Sequence, residues 1–152
     1  MASAATHGPV ARGRGRSAPR MMVLRVLIAL GLAVDAYVHF ILAPQYQLAF
    51  PGGMGGGNLF RIQAVAAILA ALYVLIRGSR LSYAIAAVVA LSAFAAVVLS
   101  VYIQLPQVGP IPAMYEPLWF FEKSLSAVAE GIAGVLAVVG FFLVPRKDTA
   151  LR

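Results

Sequence analysis

Four long apolar stretches run through this chain of 152 residues, and they constrain its fold more than any other feature. They cover about residues 22–43, 59–76, 81–103 and 119–144. At a rise of about 1.5 Å per residue, a helix over each stretch is long enough for a hydrocarbon core about 30 Å thick. Because a backbone in lipid must satisfy its own polar groups, helices are expected. The sequence therefore predicts an all-α fold, a four-transmembrane-helix bundle, as one membrane domain over residues 21–145.

The composition also indicates that lipid is the solvent of this chain. Hydrophobic residues make up 62% of it and charged residues only 11%, and the mean hydropathy is +0.90. An ordinary soluble domain is about 45–50% apolar and about 25% charged. Cysteine is absent, which excludes disulfides, thiolate nucleophiles and cysteine-ligated metals.

The basic residues indicate how the chain is oriented in the membrane. The net charge is +7, and the two long loops, about 43–59 and 104–118, carry a single charge, Glu116. Cytoplasmic loops carry the excess of Lys and Arg. We therefore predict a plasma-membrane protein with both termini cytoplasmic and both long loops outside, and no nucleic-acid partner. The basic residues at or beyond the ends of the spans are Arg12, Arg14, Arg16, Arg20, Arg25, Arg77, Arg80, Arg146, Lys147 and Arg152.

The two ends of the chain have little to bury. Residues 1–20 are mostly Ala, Gly, Ser, Pro and Arg, so we expect a disordered basic tail, and residues 146–152 form a second, short basic tail. Met21 and Met22 are alternative starts to Met1. The first apolar stretch could also be a cleaved signal peptide, but apolar sequence resumes directly after Asp35, which favours a retained span.

The connections contain the residues that end helices. The first loop is rich in glycine, and Asn58 is predicted to cap the second helix. The second loop contains four prolines and is expected to be stiff and extended. Within the spans, small residues recur at helical spacing, as in Ala64, Ala67 and Ala71. They allow close packing inside one bundle or, alternatively, between two copies of the chain.

Six ionisable side chains and one glutamine interrupt the apolar stretches. A charge at the bilayer centre costs at least about 2.5–3.5 kcal/mol, so such groups pair or line a cavity. Helical spacing places Asp35 and His39 on one face of the first helix, and Lys123 and Glu130 on one face of the fourth. We predict one outward-opening network, with Glu130 its strongest functional candidate. It serves either as structural ion pairs or as a binding or proton site. Its members are Asp35, His39, Arg61, Gln63, Glu122, Lys123 and Glu130.

His39 is the one histidine in a span, since His7 lies in the tail. Haem and metal sites usually use more ligands of this kind, so a hydrogen-bonded His39 is favoured and neither a cofactor nor a metal is expected. No serine–histidine–acid pattern, phosphate loop or zinc motif is visible, so a non-catalytic protein is favoured. In the second loop, Tyr115, Glu116 and Trp119 suit contact with a partner or, alternatively, with the membrane interface.

Several polar segments carry a resemblance to known proteins. They are Val34–Phe40, Asn58–Ala64, Gly109–Trp119, Glu122–Lys123 and Ala129–Glu130. Together they resemble small four-helix integral membrane proteins of actinobacterial type, a likeness that covers most of residues 22–144. In size and helix number the chain is also similar to the DoxX-like group. The first resemblance implies the fold, the topology and joint action of the polar positions, and the second implies membrane redox chemistry with quinones.

Three functions are compatible with these features. The first is a non-catalytic scaffold or accessory subunit whose charges specify packing, as a homo-oligomer or with a membrane partner protein. The second is a module that binds or transports a small molecule, lipid or proton. The third is a quinone-linked redox component. The lipid bilayer is the one partner that all three require.

Overall fold

A computed structural model describes residues 17–145 and forms four α-helices over that part of the chain. They are α1 (Ser17–Ala49), α2 (Gly56–Arg77), α3 (Arg80–Tyr102) and α4 (Phe121–Leu143). All four are long and apolar enough to cross a membrane. The prediction of an all-helical fold with four candidate spans is confirmed. Of the predicted tails, residues 1–16 and 146–152 lie outside the described residues, whereas residues 17–20 belong to α1.

The helices pack in a ring in chain order. Helix α1 contacts α2 and α4, α3 contacts α4 and more sparsely α2, and α1 barely touches α3. Small side chains fill the centre, among them Ala67, Ala90 and Ala133, each 0% exposed. Large apolar side chains such as Leu69 and Val88 point outward. This distribution suits lipid, where dispersion contacts between closely packed small residues hold helices together.

Two glycines make close contacts that a side chain would prevent. A Cβ on Gly140 of α4 would lie 2.4 Å from the ring of Tyr83 in α3, and Tyr83 is fully buried. A Cβ on Gly57 of α2 would lie 2.3 Å from the carbonyl oxygen of Ala43 in α1. At these points the backbone itself is the packing surface of the helix.

The first connection is shorter than the sequence predicts. Helix α1 continues through Pro44 to Ala49, and α2 begins at Gly56. The prediction that Asn58 caps α2 is wrong, because Gly55 holds that position with a φ of +85° that favours glycine. Asn58 instead lies in the first turn and donates to the Met54 carbonyl at 2.8 Å. Glycines at the start of α2 let α1 approach closely, so α2 can begin before Asn58.

The second connection is extended, as its prolines predict, but it folds back on itself. Two isolated antiparallel bridges join Leu105 to Met114 and Val108 to Ile111. The inner bridge, between Val108 and Ile111, closes a turn that contains Gly109 with a φ of +56°. The Pro110 carbonyl also accepts a 2.8 Å hydrogen bond from the Met54 amide. The two long loops therefore contact each other at the same end of the bundle.

Packing at Gly140 gives a first prediction. Gly140→Ala would push a methyl group into the buried Tyr83 ring, and overpacking of this kind costs about 1–3 kcal/mol. We expect a lower midpoint of thermal unfolding in detergent. The matched control is Gly131→Ala in the same helix, where a Cβ would meet the Phe94 ring at an ordinary 3.4 Å.

The control should unfold at or slightly above the wild-type temperature, because alanine favours a helix over glycine by about 0.8–1.0 kcal/mol. Equal destabilisation by the two substitutions would contradict the packing described at Tyr83.

Candidate functional site

Polar side chains from three helices meet near the middle of the bundle, and we call them the core cluster. They are Asp35 and His39 of α1, Gln63 of α2, and Ser126 and Glu130 of α4. The four-residue spacing of Asp35 and His39 puts both on one face of α1, as does the spacing of Ser126 and Glu130 on α4. Close packing of α1 against α4 then brings these two faces together.

The contacts within the core cluster are short and specific. Nδ1 of His39 lies 2.6 Å from Asp35 Oδ1 and 3.9 Å from Glu130 Oε1. Gln63 Nε2 donates to Asp35 Oδ2 at 2.9 Å. The Ser126 hydroxyl donates to Glu130 Oε1 at 2.7 Å. Neutral donors therefore hold one oxygen of each carboxylate in place.

The core cluster is almost completely buried. Asp35 and Glu130 are 0% exposed, and His39 is 6% exposed. Within residues 17–145, Glu130 Oε2 is buried without a hydrogen-bond partner. Burying an unpaired polar atom costs about 1–3 kcal/mol, and more for a charged group. An atom of this kind calls for an explanation, such as an ordered water, a bound ion or a role in function.

A second group of polar residues, the outer cluster, holds the second loop against the helices. Lys123 Nζ donates to the Glu116 carbonyl at 2.7 Å and lies 3.4 Å from Glu116 Oε2. The Tyr46 hydroxyl donates to the same carboxylate oxygen. The Glu116 amide donates to the Ser100 carbonyl at 2.8 Å. Glu116 thus links its loop to α1, α3 and α4.

The structure divides the residues that the sequence places in one network. Asp35, His39, Gln63 and Glu130 come together, whereas Lys123 pairs with Glu116 of the second loop. Arg61 is exposed and donates to Asn58 Oδ1 at 2.8 Å. Glu122 lies partly buried at the start of α4. The charges that could have balanced the two buried carboxylates are therefore engaged elsewhere.

The loop residues predicted to meet a partner have different surroundings. Tyr115 is 41% exposed and Trp119 is 44% exposed, whereas Glu116 faces inward to the outer cluster. The sequence reasoning missed Tyr46. Tyr46 lies seven residues after His39, which places both on the same face of α1. The sequence predicts that this helix ends before Pro44, so it assigns Tyr46 to a loop.

A pocket of about 370 Å³ lies between the two clusters and under the second loop. Three residues of the core cluster also line the pocket: His39, Gln63 and Ser126. Most other lining residues are apolar, and the ring of Phe60 stacks on Tyr46 at 4.0 Å between centroids. The remaining lining residues are Val38, Leu42, Phe50, Leu59, Ser92, Ala93, Ala96, Val97, Ser100, Ile111, Met114, Tyr115, Glu116 and Lys123.

No protein-family model, curated protein or solved structure matches this chain. The resemblance to small actinobacterial membrane proteins, and the looser likeness to the DoxX-like group, stay predictions.

The outer cluster gives a second prediction. Glu116→Ala removes the carboxylate shared by Tyr46 and Lys123 and leaves the buried Lys123 with only the carbonyl of residue 116 as its partner in the loop, so the second loop should detach more often. Hydrogen bonds to charged groups contribute about 1.5–3 kcal/mol, which corresponds to at least about tenfold faster exchange of the loop amides. Hydrogen–deuterium exchange at the amides of Glu116 and Met54 measures the change, because these amides join the second loop to Ser100 and to the first loop; the alanine at position 116 reports for the variant.

Glu122→Ala is the matched control, because it removes an acidic residue at the start of α4 outside both clusters. Loop exchange in this control should equal that of the wild type. Unchanged exchange in Glu116→Ala would show that the prolines and bridges hold the loop without the outer cluster.

Proposed function

We propose that this chain is a non-catalytic, multi-pass plasma-membrane protein that binds a small amphipathic molecule inside its helix bundle. The observation that carries the proposal is the pocket of about 370 Å³. Pockets for small molecules are usually about 300–1,000 Å³, mostly apolar, with a few polar groups that fix orientation. A scaffold or accessory subunit needs no such cavity, so the pocket favours the binding module over the scaffold.

The lining indicates the chemistry of the bound molecule. Leu42, Phe60 and Val97 offer apolar surface for a chain or ring. At the deeper end lie His39, Gln63 and Ser126, next to the two buried carboxylates. Carboxylates accept hydrogen bonds and repel anions. We therefore propose an apolar body with a neutral or cationic head that donates hydrogen bonds, such as a hydroxyl or an amine.

Exposed lining residues indicate the route of entry. Ser92 and Ala96 of α3 both line the pocket and are exposed on the outside of the bundle. They lie in a helix that is apolar enough to span a membrane, so their exposed sides meet lipid in our proposal. Helix α3 also contacts α2 only sparsely. A molecule dissolved in the bilayer would enter laterally between α2 and α3.

The proposed orientation has both termini in the cytoplasm and the two long loops outside. Its support is the segregation of basic residues. The guanidinium of Arg25 covers Gly78 in the connection between α2 and α3, and Arg80 lies 4.3 Å from the ring centre of Phe141 near the end of α4. These arginines gather at one end, opposite the second loop, as the positive-inside rule requires.

Filling the pocket gives a third prediction. In membranes, a long-chain alcohol that carries a diazirine should photolabel the wild type within 92–100 of α3. Ala96→Trp places an indole in the pocket and should reduce labelling at least about tenfold, the effect of about 1.4 kcal/mol in affinity. Peptide mass spectrometry measures the labelled fraction at each site.

Ala95→Trp is the matched control, since Ala95 is exposed on α3 but does not line the pocket. It should be labelled as strongly as the wild type. Equal labelling of the two tryptophan variants, or labelling confined to residues that do not line the pocket, would contradict a pocket ligand.

The orientation gives a fourth prediction. Because the chain has no native cysteine, single substitutions report accessibility without background. Gln107→Cys in the second loop should react with a membrane-impermeant maleimide on intact cells. Arg77→Cys should react only after permeabilisation, and the reverse pattern would overturn the proposed orientation.

A further inference from the structure

We propose that Asp35, His39 and Glu130 bind one divalent transition-metal ion in the middle of the bundle. The site lies beside the apolar pocket and shares His39 with its lining, and the proposal stands whether or not a small molecule occupies that pocket. It also departs from the expectation of no metal, which rested on the absence of a second histidine from the spans. The tertiary structure supplies carboxylates from two helices in place of that histidine.

The geometry suits a single ion. One donor atom from each of Asp35, His39 and Glu130 lies within 4.8 Å of the other two. Ligands at about 2.0–2.2 Å from a shared ion are at most about 4.4 Å apart, so small side-chain movements close the site. The 2.6 Å contact between His39 Nδ1 and Asp35 Oδ1 would have to lengthen. Tetrahedral ligands are separated by about 3.4 Å, so this movement is under about 1 Å.

An unpartnered buried oxygen points independently to a missing ligand. Glu130 is 0% exposed, and its Oε2 has no hydrogen-bond partner among residues 17–145. The Oδ1 atom of Asp35 is also buried, and it contacts the imidazole Nδ1 of His39 at 2.6 Å. Asp35 and Glu130 thus lie close enough to His39 to share a ligand, and Glu130 has an oxygen that no donor of the described residues satisfies.

A bound cation would balance the charge of the cluster when both carboxylates are ionised. Asp35 and Glu130 contribute two carboxylates, and no lysine or arginine side chain in residues 17–145 forms an ion pair with them. Lys123 is paired with Glu116, and Arg61 is bonded to Asn58. A neutral imidazole with two carboxylates and one divalent ion has no net charge. This balance removes most of the penalty for burying two like charges in a low-dielectric core.

The neighbouring side chains support these ligands in the way that metal sites require. Gln63 orients the Asp35 carboxylate, and Ser126 orients that of Glu130. Outer partners of this kind typically change metal affinity about 10–100-fold. Both also line the pocket, so a fourth coordination position would open toward it. One imidazole nitrogen and two carboxylate oxygens suit Zn²⁺, Mn²⁺ or Fe²⁺ rather than copper(I) or a cluster.

The test measures metal in the full chain, purified in mild detergent without a histidine tag. Elemental mass spectrometry should find about one zinc, manganese or iron ion per chain, as a buried site with three protein ligands predicts. After chelation, added Zn²⁺ or Mn²⁺ should raise the unfolding temperature, since an ion that binds only the folded state stabilises it. His39→Ala and Glu130→Gln should weaken binding at least about a hundredfold, and Gln63→Leu about tenfold.

Two controls separate this site from adventitious binding. His7→Ala removes the other histidine of the chain, and Glu122→Gln removes an acidic residue outside the core cluster. Both should bind metal as the wild type does. The proposal is overturned if the wild type retains no stoichiometric metal and shows no thermal shift with Zn²⁺, Mn²⁺ or Fe²⁺. It is also overturned if folded His39→Ala and Gln63→Leu bind as the wild type does. Photolabelling of the pocket reports the proposed function separately.

Discussion

The close contact between α1 and α4 is the interaction on which the site depends. A Cβ on Gly31 of α1 would lie 2.9 Å from the Cβ of Ala133 and 3.1 Å from the Ala129 carbonyl. Gly31 is one turn before Asp35, and Ala133 is about one turn after Glu130. Small residues at this contact allow two carboxylates from separate helices to face the same imidazole. Larger side chains there would separate the helices and the cluster with them.

The placement of the charges follows from this contact and from the second loop. Lys123 lies seven residues before Glu130 on α4, but its amine reaches the loop and pairs with Glu116. That pairing stabilises the loop over the pocket, and within residues 17–145 it leaves Asp35 and Glu130 without an ion pair to a lysine or arginine. A divalent ion bound by Asp35, His39 and Glu130, as we propose, would balance the charge of these carboxylates. The position of the second loop at one end of the bundle therefore affects the electrostatics at the centre of the bundle.

The pocket and the core cluster together form a graded environment. Near the loop, Tyr46 and Phe60 stack and offer apolar surface, while His39, Gln63 and Ser126 provide polar contacts at depth. An amphipathic molecule entering from the bilayer would keep its apolar part among similar groups and place its head beside buried polar side chains. The same three residues would be the route by which a bound metal ion and a pocket ligand affect each other.

How much the sequence predicts differs between the fold and the site. The four candidate spans and the all-helical class follow from hydrophobic length alone, because a backbone in lipid has few alternatives to a helix. The pairing of Asp35 with His39 follows from spacing within one helix. The sequence also identified Gln63 and Glu130 as polar positions, but it could not say which of the charges they would meet.

Contacts between helices depend on rotation and depth, which local spacing does not determine. The partner of Lys123, the exposure of Arg61 and the participation of Tyr46 depend on how far α1 extends past Pro44 and where the second loop folds. Those features come from glycine contacts and loop hydrogen bonds among residues distant in sequence. The sequence by itself thus determined that this chain has four apolar helices with polar groups among them. Only the tertiary structure decided that three of those groups share one buried site, because packing brings together helices that lie far apart along the chain.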